Sequence, residues 1–271
     1  MRFVSFNANG IRARLHQIDA INQQHRPDVI ALQETKVADE VFPFDEVRNL
    51  GFTDIQIFGQ KGHYGVALLA KRPAQTVQLG LPWREHDQQR RFISATYQYG
   101  DESIRVINCY FPQGESRDHP TKFADKEQFY SDVATYLREH CSAQAPVIVA
   151  GDMNVAPQDL DIGIGEDNQK RWLRTGKTSF LPEEREWLAR LTDWGLNDCY
   201  LETLNGGERL HSWFDYRSRG FERSPKRGLR IDMILATATL ASRLTDAGID
   251  HEIRSQEKPS DHCPLWSNFD L

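Results

Sequence analysis

Several short apolar segments of the chain end in a polar residue that could bind a metal ion or a phosphate. A carboxylate after one apolar segment can simply cap a turn, so a single instance carries little weight. Several instances together predict a site, because strand ends that converge on one rim of a sheet are where sites are built. The residues at these positions are Asn7, Glu34, Asp152, Asn154, Asp261 and His262.

The donor atoms at these positions indicate a hard divalent cation. Carboxylate and amide oxygens without cysteine favour Mg²⁺, for which Mn²⁺ can substitute, and disfavour zinc. Hydrolysis of a phosphate ester needs an activated water, neutralised charge on the phosphoryl oxygens and a stabilised leaving oxygen. A metal ion with a carboxylate and a histidine provides all three. The residues therefore predict a Mg²⁺-dependent phosphoesterase site.

Asp232 is a further candidate because it lies inside an apolar segment, residues 231–235 (IDMIL). An acid in such a segment must be paired or neutralised. A histidine is a natural partner. The alternative is a structural salt bridge to a nearby arginine such as Arg230.

A layered α/β fold is needed to position these residues. Apolar residues recur at helical spacing around residues 11–21 and 129–137, and Pro182 opens a third helix. Val- and Ile-rich strands with helices between them indicate packed sheets with helices outside, although periodicity does not give the strand order. The predicted strands are residues 3–7, 29–33, 66–70, 92–97, 104–110, 147–150 and 231–236.

The composition fits one globular domain over residues 1–271, without repeats or long linkers. The chain is 39% hydrophobic and 27% charged, which argues against disorder. No apolar stretch approaches the roughly 18 residues of a membrane helix, and the first residues lack signal-peptide features. We therefore expect a cytoplasmic monomer that does not bind membranes and whose four cysteines, without a C-x-x-C pair, are reduced.

The formal net charge of −6 argues against a nucleic-acid partner, because phosphate contacts need Lys and Arg. Local charge matters more. Residues 217–230 contain six basic residues and one acid, which gives +5, and residues 170–177 contain four basic residues and no acid. Both clusters could bind a DNA duplex or could be solvated surface. The candidate contacts are Arg91, Lys170, Arg171, Arg174, Arg217, Arg219 and Arg223.

An ordered set of short motifs runs along nearly the whole chain. They are residues 6–12 (FNANGIR), 32–36 (LQETK), 62–66 (GHYGV), 110–114 (YFPQG), 151–154 (GDMN), 212–217 (SWFDYR), 229–232 (LRID) and 260–262 (SDH). In this set the chain resembles the endonuclease/exonuclease/phosphatase superfamily and, within it, the exonuclease III type of DNA-repair nuclease. The resemblance implies a four-layer αββα sandwich, with two packed mixed sheets and helices on both outer faces.

The resemblance also implies roles for the polar residues. Glu34 would be the principal metal ligand, supplemented by Asn7 and Asp261, and the metal site would also include Asp152, Asn154 and His262. Asp152 would activate the water or protonate the leaving oxygen, with Asn154 positioning it. His262, held by Asp232, would donate to the scissile phosphate, which Tyr110 would also contact.

An aromatic cluster at Trp213, Phe214 and Tyr216 is more often core than ligand. By resemblance, Trp213 would line the pocket for a flipped-out abasic sugar, and flipping is cheapest where no base is stacked or paired. Cys263 departs from the family pattern, which usually has a smaller residue there. The loop at residues 220–228 is slightly long, which could change the grip on a duplex.

The activities that the resemblance implies are incision 5′ to abasic sites, removal of nucleotides from 3′ ends of double-stranded DNA, and removal of 3′-blocking phosphates, with RNase H activity as a possible addition. All leave 3′-hydroxyl ends for base excision repair. One alternative is a phosphatase or phospholipase of the same superfamily that acts on inositol phosphates or lipids. A second is a binding module without catalysis, which the acids at positions 34, 152, 232 and 261 argue against.

Overall fold

The strands of the protein are described in a computed structural model, which covers residues 1–84, 89–204 and 206–271. Seven of these strands overlap the seven predicted segments. The strands are β1 (Arg2–Asn7), β2 (Val29–Gln33), β3 (Asp54–Phe58), β4 (Val66–Ala70), β5 (Ala74–Leu79), β6 (Phe92–Tyr99), β7 (Glu102–Tyr110), β8 (Val147–Asp152), β9 (Leu196–Asp198), β10 (Asp232–Thr237), β11 (Leu244–Ile249) and β12 (Leu265–Phe269).

The helices lie between and after these strands. They are α1 (Leu15–His25), α2 (Phe44–Asn49), α3 (Lys122–His140), α4 (Glu166–Thr175), α5 (Pro182–Asp193), α6 (Cys199–Thr203), α7 (Ala238–Ala241) and α8 (His251–Arg254). Helix α5 begins at Pro182, as predicted, because proline is preorganised for the first helical position. Among the described residues, no helix combines the length and apolar character that crossing a membrane requires.

The strands form two mixed six-stranded sheets with the orders β11-β12-β1-β2-β4-β3 and β5-β6-β7-β8-β10-β9. Each sheet has one parallel pair at its centre, β1 with β2 and β7 with β8, and the other neighbours are antiparallel. The first sheet combines strands from the beginning and the end of the chain, and the second contains the strands between them.

Three apolar clusters show that the molecule has four layers. The inner cluster joins the facing sides of both sheets and contains Ala31 of β2 and Ile148 of β8. The next residues along these strands point outward, since side chains alternate along a strand. Leu32 packs with α1 and α2 residues, and Val149 packs with α3 and α5 residues. The predicted αββα sandwich is confirmed.

The strand register explains why polar residues from both sheets meet at one edge. In the parallel pair of the second sheet, Tyr110 at the end of β7 lies opposite Asp152 at the end of β8. Strand β10 runs the other way, so its first residue, Asp232, also lies opposite Asp152. In the first sheet, Asn7 ends β1 and Glu34 directly follows β2. These strand ends form the rim that carries the site.

Candidate active site

Asp232 and His262 form a buried pair at the centre of this rim. Both carboxylate oxygens of Asp232 lie close to His262 Nδ1, at 3.0 and 2.9 Å. The opposite ring nitrogen, Nε2, lies 3.8 Å from Asp152 Oδ2. The Ser212 hydroxyl donates to Asp232 at 2.6 Å and accepts from the amides of Ile231 and Asp232. Asp232 is therefore paired with a histidine, and Ser212 fixes its carboxylate.

Arg230, the alternative partner of Asp232, makes ion pairs elsewhere. Its guanidinium donates to Asp161 at 2.7 Å and to Asp198 at 2.6 Å. Arg230 and Asp161 are both fully buried, so each charge is balanced by the other. The structure thus separates this buried network from the Asp232–His262 pair.

Burial and neighbouring charges shift the pKa values of Asp152 and His262. Burial raises the pKa of Asp152 to about 8, with further increases from Asp232 and Glu34. Burial lowers the pKa of His262, but the carboxylates of Asp232 and Asp152 outweigh that effect and raise it to about 10. Asp152 and His262 therefore bind protons readily near neutral pH before any cation is present.

A tight turn after β8 holds the carboxylate of Asp152. The backbone amide of Asn154 donates to Asp152 Oδ1 at 2.9 Å, and the side chain of Asn7 donates to Oδ2 at 3.0 Å. Asn154 has a φ of 54°, in the left-handed region that Asn tolerates better than most residues. Its side chain donates to the carbonyl of Phe111. Asn7 and Asn154 thus position Asp152.

Glu34 lies beside a tyrosine and a lysine. The Tyr110 hydroxyl donates to Glu34 Oε1, and Lys36 Nζ lies 2.8 Å from Oε2. Burial and the nearby Glu34 raise the pKa of Tyr110 well above its ordinary value. Tyr110 therefore remains a hydrogen-bond donor over the physiological pH range.

Asp261 is held by two donors from different parts of the chain. Asn9 donates to Oδ1 at 2.8 Å, and the Trp213 indole donates to Oδ2 at 3.0 Å. Burial acts to raise the pKa of Asp261, but His262 and these donors outweigh burial and lower it. Trp213 itself is fixed through backbone hydrogen bonds with Leu229.

One cavity of about 500 Å³ opens onto these groups. Predicted site residues that line it are Glu34, Tyr110, Asp152, Asn154, Trp213, Asp261, His262, Arg171, Arg217 and Arg223. Of the neighbouring aromatic residues, Phe214 is fully buried and Tyr216 is exposed. The wall also contains residues that were not named as individual contacts, among them Gln113, Trp172, Lys177 and Arg227. These four lie in a motif or basic cluster noted in the sequence, so their positions carried a usable signal, whereas Asn168 and Ser179 lie in none of them.

The other predicted residues lie outside the cavity lining. Asn7 and Asp232 support residues of the lining from behind. Arg91 is buried, with its guanidinium 4.2 Å from the Tyr64 ring centre and 4.6 Å from that of Tyr110. Lys170 is exposed and paired with Glu166. Arg174 and Arg219 are also exposed and away from the cavity wall.

The acidic groups include a possible metal site. Asp152, Asp232 and His262 each offer a ligand atom, and these atoms lie within 4.8 Å of one another. Asp232 was not a predicted ligand, and both of its oxygens already face His262 or Ser212. Glu34 adds carboxylate oxygens to the same cavity. A set dominated by oxygen donors fits a hard divalent cation.

The fold and the site together define a class of protein: a four-layer sandwich whose strand-end loops bring carboxylates and a His–Asp pair to one cavity. A model of the Endonuclease/Exonuclease/phosphatase family matches residues 4–262. The chain belongs to that family, which confirms the resemblance found in the sequence.

The relatives of the chain include DNA-directed nucleases. The chain is 53% identical over 269 residues to exodeoxyribonuclease III of Haemophilus influenzae. The matched region covers 99% of this chain and 100% of the relative. An AP endonuclease from Archaeoglobus fulgidus has a TM-score of 0.90 at 32% identity. The 3′ phosphatase NExo from Neisseria, solved with a product DNA hairpin, has a TM-score of 0.89 at 34% identity. Each of these two matches covers 100% of this chain and 100% of the chain in the solved structure.

Proposed function

We propose that the protein is a Mg²⁺-dependent nuclease that incises double-stranded DNA at abasic sites, shortens 3′ ends and removes 3′-blocking phosphates. The composition of one cavity carries the proposal. Acidic strand ends and His262 line one part of it, and Trp213 with basic residues lines another. The names of the relatives, exodeoxyribonuclease, AP endonuclease and 3′ phosphatase, support DNA as the substrate.

The acid and base steps follow from the hydrogen bonds of three residues. Asp152 in its ionised form accepts a proton from the attacking water and then passes it to the leaving oxygen, since a pKa close to the operating pH suits both transfers. Protonated His262, oriented at Nδ1 by Asp232, donates from Nε2 to a phosphoryl oxygen. Asn154 keeps the Asp152 carboxylate in place.

Tyr110 also contacts the phosphate, and the oxygen donors beside it would hold a cation. The Tyr110 hydroxyl, which donates to Glu34 in the free protein, contacts the scissile phosphate in the complex. A Mg²⁺ ion at this site would supply neutralisation of the charge on the phosphoryl and leaving oxygens. The residues that we propose to hold it are Asn7, Glu34, Asp152, Asn154 and Asp261, whereas His262, expected at the metal site from the resemblance, is protonated on both ring nitrogens and contacts the phosphate instead.

The second part of the cavity suits an extruded abasic sugar. Trp213 presents an aromatic face, and its fixed indole keeps that face in position. Arg171, Arg217 and Arg223 are exposed cations on the same wall, where their guanidinium groups can contact backbone phosphates. Their positive charge attracts duplex DNA despite the negative net charge of the whole chain. We infer a monomer whose residues 1–271 form one domain around this site.

A labelled duplex with one central abasic site tests the proposal. We expect incision 5′ to the lesion with Mg²⁺, no incision with a chelator, and shortening of 3′ ends on longer incubation. Parallel reactions contain a 3′-phosphate duplex, an RNA–DNA hybrid, an inositol phosphate and a phospholipid. An intact abasic duplex together with release of phosphate from the inositol or lipid substrate would overturn the DNA assignment.

A further inference from the structure

Helix α3 carries two buried polar residues that reach the same turn of the site. Lys126 and Tyr130 are fully buried and lie four positions apart, so they share one helical face. Lys126 Nζ donates to the carbonyl of Asn154 at 2.9 Å. The Tyr130 hydroxyl donates to the carbonyl of Met153 at 2.6 Å. One helix therefore holds two successive carbonyls of the turn that follows β8.

The charge of Lys126 is balanced inside the protein by Glu184. The two side chains form an ion pair in which both are fully buried. The Glu184 carboxylate also accepts hydrogen bonds from the backbone amides of Ser179 and Leu181, at 2.8 Å each. Replacing a buried ion pair with apolar residues is often neutral or stabilising. Stability is thus a weak reason for a charge at this position, and its contact with the turn is a stronger one.

The turn needs support because it has an unusual backbone conformation and a demanding task. Asn154 is in the left-handed region, which costs energy for a residue other than glycine. Its amide holds Asp152 Oδ1. The carbonyls of Met153 and Asn154 flank that amide along the chain, so a shift of either carbonyl moves the amide and the Asp152 carboxylate.

We propose that Lys126 and Tyr130 are positioning residues, which set the location of the Asp152 carboxylate by holding the carbonyls of Met153 and Asn154. The inference rests on the proposed function, because it assigns these residues to the same nuclease reaction. Neither side chain lines the cavity. A displacement of about 1 Å in a reacting group can lower a rate about 100-fold. Loss of either hydrogen bond to the turn should therefore slow the chemical step.

Tyr130→Phe tests the inference with little change in packing, since it removes only the hydroxyl. We expect the single-turnover rate at saturating DNA to fall about tenfold, with unchanged DNA affinity, because binding groups remain in place. Tyr97→Phe is the matched control. Tyr97 is also fully buried in the sandwich, and its hydroxyl has no hydrogen-bond partner among the described residues. Its removal should leave the rate unchanged.

Lys126 is tested in a double variant, because Lys126→Met alone would leave the Glu184 charge buried and unbalanced and could prevent folding. Lys126→Met with Glu184→Gln removes both charges. We expect a cooperative thermal transition, unchanged DNA affinity and a rate about 100-fold lower. A rate within twofold of the unmodified protein in both this variant and Tyr130→Phe would overturn the inference.

Methyl NMR of ¹³C-methionine gives a readout that does not depend on activity. The chain has three methionines, and Met153 lies in the turn itself. Tyr130→Phe should broaden or split the Met153 signal, whereas Tyr97→Phe should not change it, and Met1 is an internal reference. An unchanged Met153 signal overturns the inference. If the unmodified protein cleaves no DNA, the proposed nuclease fails, and the Met153 signal still decides whether the two side chains hold the turn.

Discussion

Asp232 determines which nitrogen of His262 faces the cavity. Both Asp232 oxygens lie within 3.0 Å of Nδ1, so Nε2 is left to face Asp152 and the cavity. Ser212 fixes the position of the Asp232 carboxylate, because its hydroxyl donates a hydrogen bond to that carboxylate and accepts hydrogen bonds from two backbone amides. Orientation and protonation of His262 therefore both depend on one buried carboxylate.

The first prediction concerns that carboxylate. Asp232→Asn keeps the shape but removes the charge that raises the pKa of His262. We expect a single-turnover rate lower by orders of magnitude, since loss of the orienting acid in a hydrolase triad costs about 10⁴. Quench-flow or gel assays measure the rate, and circular dichroism checks the fold. A loss below about tenfold would assign Asp232 a structural role.

The sequence could suggest a histidine partner for Asp232 but could not choose it over Arg230. The partners of Arg230 are Asp161 and Asp198, which lie 69 and 32 positions away along the chain. The spacing of residues within a short segment does not indicate contacts between residues so far apart in the chain. The sequence therefore identified Asp232 as a candidate, and the structure showed which charged residues pair with each other.

A second prediction separates the basic residues that line the cavity from other surface cations. Arg217→Ala should weaken binding of an abasic duplex and reduce the slope of log affinity against log salt by about one, the effect of one lost phosphate contact. Arg190→Ala is the control, since Arg190 is exposed on α5 and lies outside the cavity lining. Fluorescence anisotropy at several salt concentrations measures both. Equal slopes for Arg217→Ala and the unmodified protein would contradict the assignment.

The close pairing of β7 and β8 determines where Asp152 emerges. Gly151 lies opposite Cys109 in this parallel pair, and a Cβ added at Gly151 would lie 1.9 Å from the Cys109 carbonyl oxygen. Its φ of 140° adds strain for any other residue. The glycine before Asp152 therefore lets the two strands, and the side chains that end them, come together.

Gly151→Ala is accordingly predicted to destabilise the protein by about 2 to 4 kcal/mol, from overpacking and backbone strain combined. Urea unfolding followed by fluorescence measures the change. Gly207→Ala is the control, because its Cβ would make ordinary contact with Leu204 at 3.6 Å. A Gly151→Ala protein as stable as this control would show that the strands can separate without cost.

Sequence patterns predicted central strands better than edge or short strands. Residues 29–33 and 66–70 were predicted with the bounds that β2 and β4 have, because both are wholly buried and apolar apart from Gln33 at the end of β2. The missed strands β3, β5, β9, β11 and β12 are partly exposed, short or polar. Their pairing comes from the neighbouring strands and leaves little trace in local composition. The site was predictable because it lies at the ends of the buried strands.

Charge is distributed unevenly over the whole molecule. The formal net charge is −6, yet five basic residues line the cavity, namely Arg171, Lys177, Arg217, Arg223 and Arg227. The carboxylates of Glu34, Asp152 and Asp261 lie in the same cavity. A cation bound by these acids would make the cavity still more attractive to a phosphate backbone. Local charge, and not net charge, decides the partner.

The stability of the metal-free protein should depend on the protonation of the site. The pKa values of Asp152 and His262 are raised to about 8 and about 10, above the values of about 3.9 and 6.5 in unfolded chains. The folded state therefore binds more protons, and this contribution is lost as pH rises through the folded pKa values. We expect the Tm with chelator to fall between about pH 4 and pH 10, through Asp152 up to about pH 8 and through His262 from about pH 6.5 upward.

Asp152→Asn removes one of these groups, together with a carboxylate that raises the pKa of His262, and supplies the control for that pH dependence. The fall in Tm below about pH 8 should be shallower in Asp152→Asn than in the unmodified protein. Differential scanning calorimetry in chelator across this range measures both proteins. Parallel curves would show that the carboxyl of Asp152 has an ordinary pKa.

The central claim is that strand ends of both sheets form one site in which Asp152 performs chemistry on DNA. The most direct measurement is the single-turnover rate of abasic-duplex incision with Mg²⁺ for Asp152→Asn and for the unmodified protein, with DNA affinity measured in parallel. The account predicts that Asp152→Asn binds the duplex with similar affinity and cuts it at least about 1,000-fold more slowly. Incision within tenfold of the unmodified rate would contradict it.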